Sequence, residues 1–234
     1  MHIPLALLPY ARERRFTRAA LARGYTVLAV SSRAECWSLD DSGEGSELAA
    51  VESIIKWWTN EKHPQLADLP LVGIGASSGG YFLSALTTKV RFSSIAVMIA
   101  EGVYGTMGDI PAGYPPALFM HMPKDVGMLK AKRVDVREVQ CGDFAVSAEF
   151  LAERVPGLTR AVADALVNVL RQKGFVDEKG FLKNDGRSTP WKKAAKEAKV
   201  LPEGFRLQRH VTEEFNVAYA FHEFTSLRNG EIFE

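Results

Sequence analysis

Apolar and polar positions change rhythm along this chain, and the changes mark out its elements. Arg12 to Arg23 (RERRFTRAALAR) has the spacing of a helix leading into Thr26 to Ser31 (TVLAVS), a short β-branched run that reads as a buried strand. Glu47 to Trp58 has apolar residues at Leu48, Val51, Ile54, Ile55 and Trp58, the period of a helix with one buried face. Leu69 to Ile74 (LPLVGI) predicts a second strand with Pro70 near its start. A glycine- and serine-rich turn follows over Gly75 to Gly80, and a helix over Tyr81 to Lys89. Ser94 to Ala100 and Ala117 to Met122 predict two more apolar strands, and Val134 to Val139 a more polar one nearer an edge. Strand and helix alternating in this way imply a mostly parallel sheet with helices on both faces.

The texture changes after position 143. Leu158, Val162, Ala165, Leu166, Val169 and Leu170 make an amphipathic helix that Gly174 would end. Gly174 to Trp191 is charged and turn-rich, and Trp191 to Lys199 reads as a lysine-rich surface helix. The expected division is a core over 1–142, a helical cap or insertion over 143–212, and a return to the core over 213–234.

Composition narrows the function classes. The chain has 234 residues, 47% hydrophobic and 24% charged, so it can bury a sizeable core. Its formal net charge of +1 lacks the basic excess of a dedicated nucleic-acid binder. Two cysteines, Cys36 and Cys141, are no disulfide framework, and no metal-ligand spacing appears. No apolar run is long enough to span a membrane, and Ile3 to Leu8 lacks the basic lead of a signal peptide. The expectation is a soluble intracellular protein, cytoplasmic or organellar, that uses no cofactor and no metal.

The chemistry concentrates in Leu71 to Leu86 (LVGIGASSGGYFLSAL), where Gly75-Ala76-Ser77-Ser78-Gly79 fits Gly-x-Ser-x-Gly. A chance match is expected about 0.1 times in a chain this long, so the preceding strand and following helix matter as much as the pattern. A serine on such a turn is held in a strained backbone, and its neighbours two positions away must be small. Its hydroxyl is then exposed above the sheet. The next N–H, from Ser78, faces a developing oxyanion, and the following helix adds its positive end. A phosphate loop is the competing reading of a glycine-rich turn, but Gly-Lys-Ser/Thr is absent.

On these residues the chain resembles the α/β-hydrolase superfamily. The stretches ARGYTVLAVSS, LVGIGASSGGYFLSAL, PPALFMHMPKD and VAYAFHEFTSL carry the resemblance, which covers the core but not 143–212. Together with GFVDEKGFLKNDGRSTPWKKA they also look like a little-characterised plant and algal group of the superfamily. The fold class implied is α/β, a mostly parallel sheet with flanking helices, abbreviated at the N-terminus and carrying a helical insertion. The resemblance implies the chain order Ser, acid, His. Asp125, just beyond ALFMHM-Pro-Lys, suits the acid; Glu101 at the end of SIAVMIA is the alternative, and Asp109 a third choice. His222 suits the base, although Glu223 stands where many members have glycine. His2 and His63 precede the serine, His121 reads as a buried strand residue, and His210 as part of a solvated face. The family's further N-terminal strands, and the His-Gly-like loop that gives a second oxyanion N–H, have no match before Thr26.

The function implied is a serine hydrolase of carboxylic esters or thioesters, acting through an acyl-enzyme on a small-molecule acyl substrate, with the insertion as a lid. The alternative is a weak or inactive hydrolase-fold protein that binds or scaffolds a protein partner. A third reading makes the chain an assembly subunit whose amphipathic insertion helix packs on a partner. Trp37, Trp57 and Trp58 are expected in core or lid packing, and the two cysteines as structural thiols.

Overall fold

The structure is a computed structural model and describes residues 11–42, 45–104, 111–125, 136–201 and 205–233. His2, Asp109 and the apolar start of the chain lie outside these residues. Two compact units are present. The first is made of the described residues of Met1–Val27, Met122–Asp125 and Cys141–Glu234, the second of those of Leu28–His121 and Val126–Gln140.

The second unit carries a four-stranded, all-parallel sheet in the order β1-β2-β3-β4, formed by β1 (Val72–Ala76), β2 (Ser94–Met98), β3 (Ala117–His121) and β4 (Val136–Gln140). The strand expected over Leu69 to Ile74 begins later, at Val72, after Pro70, which has no N–H to give to a ladder. Ile95, Val97 and Phe119 point to one face, where they pack with Leu48 and Val51 of α2 (Glu47–Lys56) and with Phe82, Leu83 and Leu86 of α3 (Ser78–Leu86). Ala96, Met98 and Met120, which alternate with them, are buried too, as expected of central parallel strands. Among the described residues β4 pairs with β3 alone, in keeping with its polar sequence.

Two expectations fail here. Thr26 to Ser31 is not a buried strand: among the described residues it has no ladder partner, and Thr26, Ala29 and Ser31 are exposed. The helix expected to end at Trp58 instead widens into a π-helical segment, Trp57–Lys62, which leaves Trp57 exposed. Trp37 does pack, stacking on Phe82 with ring centroids 4.1 Å apart.

The described helices of the first unit are α1 (Ala11–Ala22), α4 (Ala148–Arg154), α5 (Arg160–Gln172), α6 (Trp191–Glu197), α7 (Gln208–Tyr219) and α8 (Asn229–Phe233). Ser147 and Thr159 start α4 and α5, each accepting the N–H three residues on. Leu151, Leu166, Leu170, Val211 and Phe215 share one apolar cluster. α6 is not merely a surface helix: Trp191 and Ala195 are fully buried in that cluster, and only its lysine face meets solvent. Deep in the unit, Arg154 on α4 meets Glu214 on α7 at 3.2 Å. α8 packs against α1 through Phe16 and Phe233, whose ring centroids lie 5.0 Å apart.

Cys141 is buried, and burial pushes its thiol up to about 11, so it is inert at neutral pH. Cys36 is exposed, and no disulfide joins the two.

Candidate active site

Ser77 sits between β1 and α3 in a backbone conformation that L-residues rarely adopt, with φ 53° and ψ −123°. Holding a serine there costs on the order of 1–3 kcal/mol, which the surrounding packing must supply. The turn is pinned on both sides. The Ser77 N–H donates to the Met98 carbonyl at 2.9 Å, and the Ser77 carbonyl accepts from the N–H groups of Gly80 and Tyr81. Ser77 is the N-cap of α3, but its side chain makes no capping bond. The helix thus begins without using the hydroxyl, unlike an ordinary serine N-cap.

The glycines around it are not equivalent. A Cβ on Gly75 would lie 2.2 Å from the Gly79 carbonyl oxygen, a contact no side chain can make. On Gly80 it would lie 2.8 Å from the Ala100 Cβ. On Gly79 the nearest atom would be the Trp37 ring nitrogen at 3.5 Å, an ordinary contact. The expectation that both neighbours two positions from Ser77 must be small therefore holds for Gly75 and not for Gly79. The close packing of helix on strand falls on Gly80 instead. Ser78 is the first residue of α3, so its N–H has no carbonyl one helical turn back.

Asp125 and His222 are brought together in the first unit, with the His222 Nδ1 at 2.6 Å from an Asp125 carboxylate oxygen. An ionised carboxylate only accepts, so this bond places a proton on Nδ1 and leaves Nε2 of the neutral ring as an acceptor. Asp125 is buried at 7% exposure, while the His222 side chain keeps 34%. Backbone bonds fix both. The Asp125 N–H donates to the Met122 carbonyl, and the Lys124 N–H to the carbonyl of Ala220, two residues before the histidine. α7 stops at Ala220, in the left-handed conformation with φ 69°. The N–H groups of Ala220 and Phe221 there bond back to the carbonyls of Val217 and Asn216.

The remaining candidates fall elsewhere. Glu101 follows β2 in the second unit and is half-buried. His121 ends β3 and is buried, as its strand pattern implies. His63 follows the π-helical segment, with its ring centroid 4.3 Å from that of Trp58. His210 is not on a solvated face: it lies on α7 with its side chain 15% exposed and its Nδ1 3.5 Å from Glu213.

The contacts of three residues near His222, namely Glu223, Asn216 and Arg187, escape a reading of the sequence. Glu223 is buried, and one of its carboxylate oxygens accepts from the Asn216 side-chain amide and from Arg187, each at 2.8 Å. Arg187 also donates to the His222 carbonyl at 3.3 Å. The available signal was the Asn184-Asp185-Gly186-Arg187 turn chemistry, which marks a shaped loop rather than a solvated linker.

Comparison of the chain with protein-family models, with curated proteins and with solved structures gives no match. Among the described residues no group of histidine, cysteine or carboxylate side chains could hold a metal ion, and no helix is long and apolar enough to cross a membrane.

Proposed function

We propose that the protein is a serine hydrolase of carboxylic esters or thioesters, with an α/β-hydrolase-like fold and with Ser77 as nucleophile. The observation that carries this reading is the backbone of Ser77. A non-glycine residue stands at φ 53° and ψ −123° between a parallel strand and a helix whose N-cap position it fills without a side-chain capping bond. Strain of this kind gathers where function requires it, and the strand–serine–helix context is the one a nucleophile elbow needs.

In this reading His222 is the base and Asp125 orients it. The Ser77 hydroxyl attacks the acyl carbon, and its proton passes to the His222 Nε2. Asp125 stabilises the imidazolium that forms. The carbonyl electron pair moves onto oxygen, where the Ser78 N–H and the start of α3 would meet the charge. Collapse expels the alcohol or thiol, which takes the proton from His222, and leaves an acyl-serine. Water then attacks the acyl carbon, with His222 taking its proton; collapse breaks the acyl–Oγ bond, His222 returns that proton to the Ser77 oxygen, and the acid is released. No cofactor enters these steps.

The test is turnover of p-nitrophenyl esters of increasing acyl length by the purified chain, with Ser77→Ala alongside. Release of p-nitrophenol that vanishes in Ser77→Ala is expected. Equal release by the two proteins would contradict the assignment and favour the binding or scaffold reading.

A further inference from the structure

We propose that Arg187, Asn216 and Glu223 form a clamp that positions His222, so that the carboxylate standing in place of a glycine is part of the catalytic apparatus. The inference rests on the hydrolase reading, and it makes these three positioning residues rather than catalytic ones.

The clamp is a closed circuit of hydrogen bonds. The loop Asn184 to Thr189 lies tight against α7: a Cβ on Gly186 would sit 2.4 Å from the Thr212 carbonyl oxygen and 2.7 Å from the Phe215 Cβ. That close approach lets the Gly186 N–H donate to the Asn216 side-chain oxygen at 2.8 Å. The other end of the same amide donates to Glu223, Glu223 accepts from Arg187, and Arg187 donates to the His222 carbonyl. The Asp185 carboxylate shapes the loop by accepting the N–H groups of Arg187 and Ser188.

The geometry explains why such a device is needed. His222 follows the end of α7 with φ 29°, in the left-handed region that a side chain disfavours. Asn216 is fully buried, and the Glu223 side chain is 11% exposed. A buried carboxylate is retained only when paired, and here its partners are the groups that hold the histidine backbone. With the backbone held by the clamp and the ring by Asp125, the imidazole is fixed at both ends. A displacement of about 1 Å in a base typically costs about 100-fold in rate, so the clamp acts on the chemistry without touching substrate.

The test uses the full chain and two readouts. The first is the downfield proton resonance of the His222 Nδ1–H, assigned by its loss in His222→Gln. The second is the rate of Ser77 labelling by a fluorophosphonate. Glu223→Ala and Arg187→Met should each weaken or abolish the resonance and slow labelling by about 10- to 100-fold. Glu223→Gln, which keeps the acceptor, should retain both. An unchanged resonance in Glu223→Ala and Arg187→Met would overturn the clamp. Should Glu223→Ala not fold, Arg187→Met decides, because its side chain is half exposed and the fold does not depend on burying it. A wild-type protein with the resonance but without labelling would overturn the hydrolase reading instead, and the variants would still decide the clamp.

Discussion

The turn at Ser77 and the turn at His222 both hold a non-glycine residue at positive φ, 53° in one and 29° in the other, yet they are held by opposite means. Around Ser77 the constraint is short-range and steric. Gly75 and Gly80 are neighbours in the chain, and the Ser77 N–H bonds to the Met98 carbonyl on the next strand. Around His222 it is long-range and polar. Asp125 lies 97 positions away and Arg187 35, and the groups involved are carboxylates, an amide and a guanidinium. Steric strain is stored by backbone that has no room to relax. Polar strain is stored by buried groups whose hydrogen bonds to one another would be lost if the backbone relaxed. The first should break when a small residue grows, the second when a hydrogen-bond partner is lost.

The largest effects expected are on the chemistry the two turns would share. Ser77→Ala and His222→Ala should each lower kcat for ester hydrolysis on the order of 10⁶-fold, measured against p-nitrophenyl esters, with the folded state intact by circular dichroism. Asp125→Asn should cost about 10⁴-fold, since the ring would lose its orienting carboxylate while keeping its place. A loss of only a few-fold in His222→Ala would separate the two turns and leave Ser77 without its base.

Stability should respond differently in the two units. Arg154→Ala removes the guanidinium 3.2 Å from the buried Glu214 carboxylate in the first unit and should lower unfolding stability by about 3–5 kcal/mol in urea titrations. Replacing both residues with apolar ones of similar volume should recover much of that loss. In the second unit Gly75→Ala should destabilise by about 1–3 kcal/mol or more and disturb the turn, whereas Gly79→Ala should leave the thermal midpoint nearly unchanged. Equal effects of the two alanines would contradict the steric account of the Ser77 turn.

The smallest effect expected is one of pH. The Glu47 carboxylate accepts the N–H groups of Arg33 and Ser38, each at 2.7 Å, and these bonds hold its pKa below the ordinary 4.5. A carboxylate with a lowered folded pKa contributes stability that is complete above the unfolded value and lost as pH falls through the folded one. The difference in thermal midpoint between wild type and Glu47→Gln should therefore be constant between about pH 5 and 8 and shrink below about 4.5. A difference that grows on acidification would reverse the assignment.

The contrast between the turns also explains what could be read in the sequence. The Ser77 turn was legible because a strand, a Gly-x-Ser-x-Gly spacing and a helix are contiguous in the chain. The parallel sheet was legible for the same reason, through the short apolar runs at Ser94 and Ala117. Thr26 to Ser31 has as good an apolar pattern as β2, but a pattern does not say whether a neighbouring strand exists to receive it. α7 escaped because its buried positions include Thr212, Glu213, Glu214 and Asn216, which break the apolar stripe a helix normally shows. Those polar residues have partners: Arg209 lies one helical turn from Glu213, but Arg154 is 60 positions from Glu214. The clamp at His222 was hidden in the same way: Glu223 read only as a departure from glycine, and nothing in the sequence joins it to Arg187 and Asn216.

The central claim is that Ser77 is an activated nucleophile, and its most direct measurement is the intact mass of the protein after incubation with a fluorophosphonate. The expected result is one added phosphonyl group on wild type, mapped to the peptide containing Ser77, none on Ser77→Ala, and far slower addition on His222→Ala. Folded wild-type protein that gains no mass would contradict the claim, as would addition that persists in Ser77→Ala.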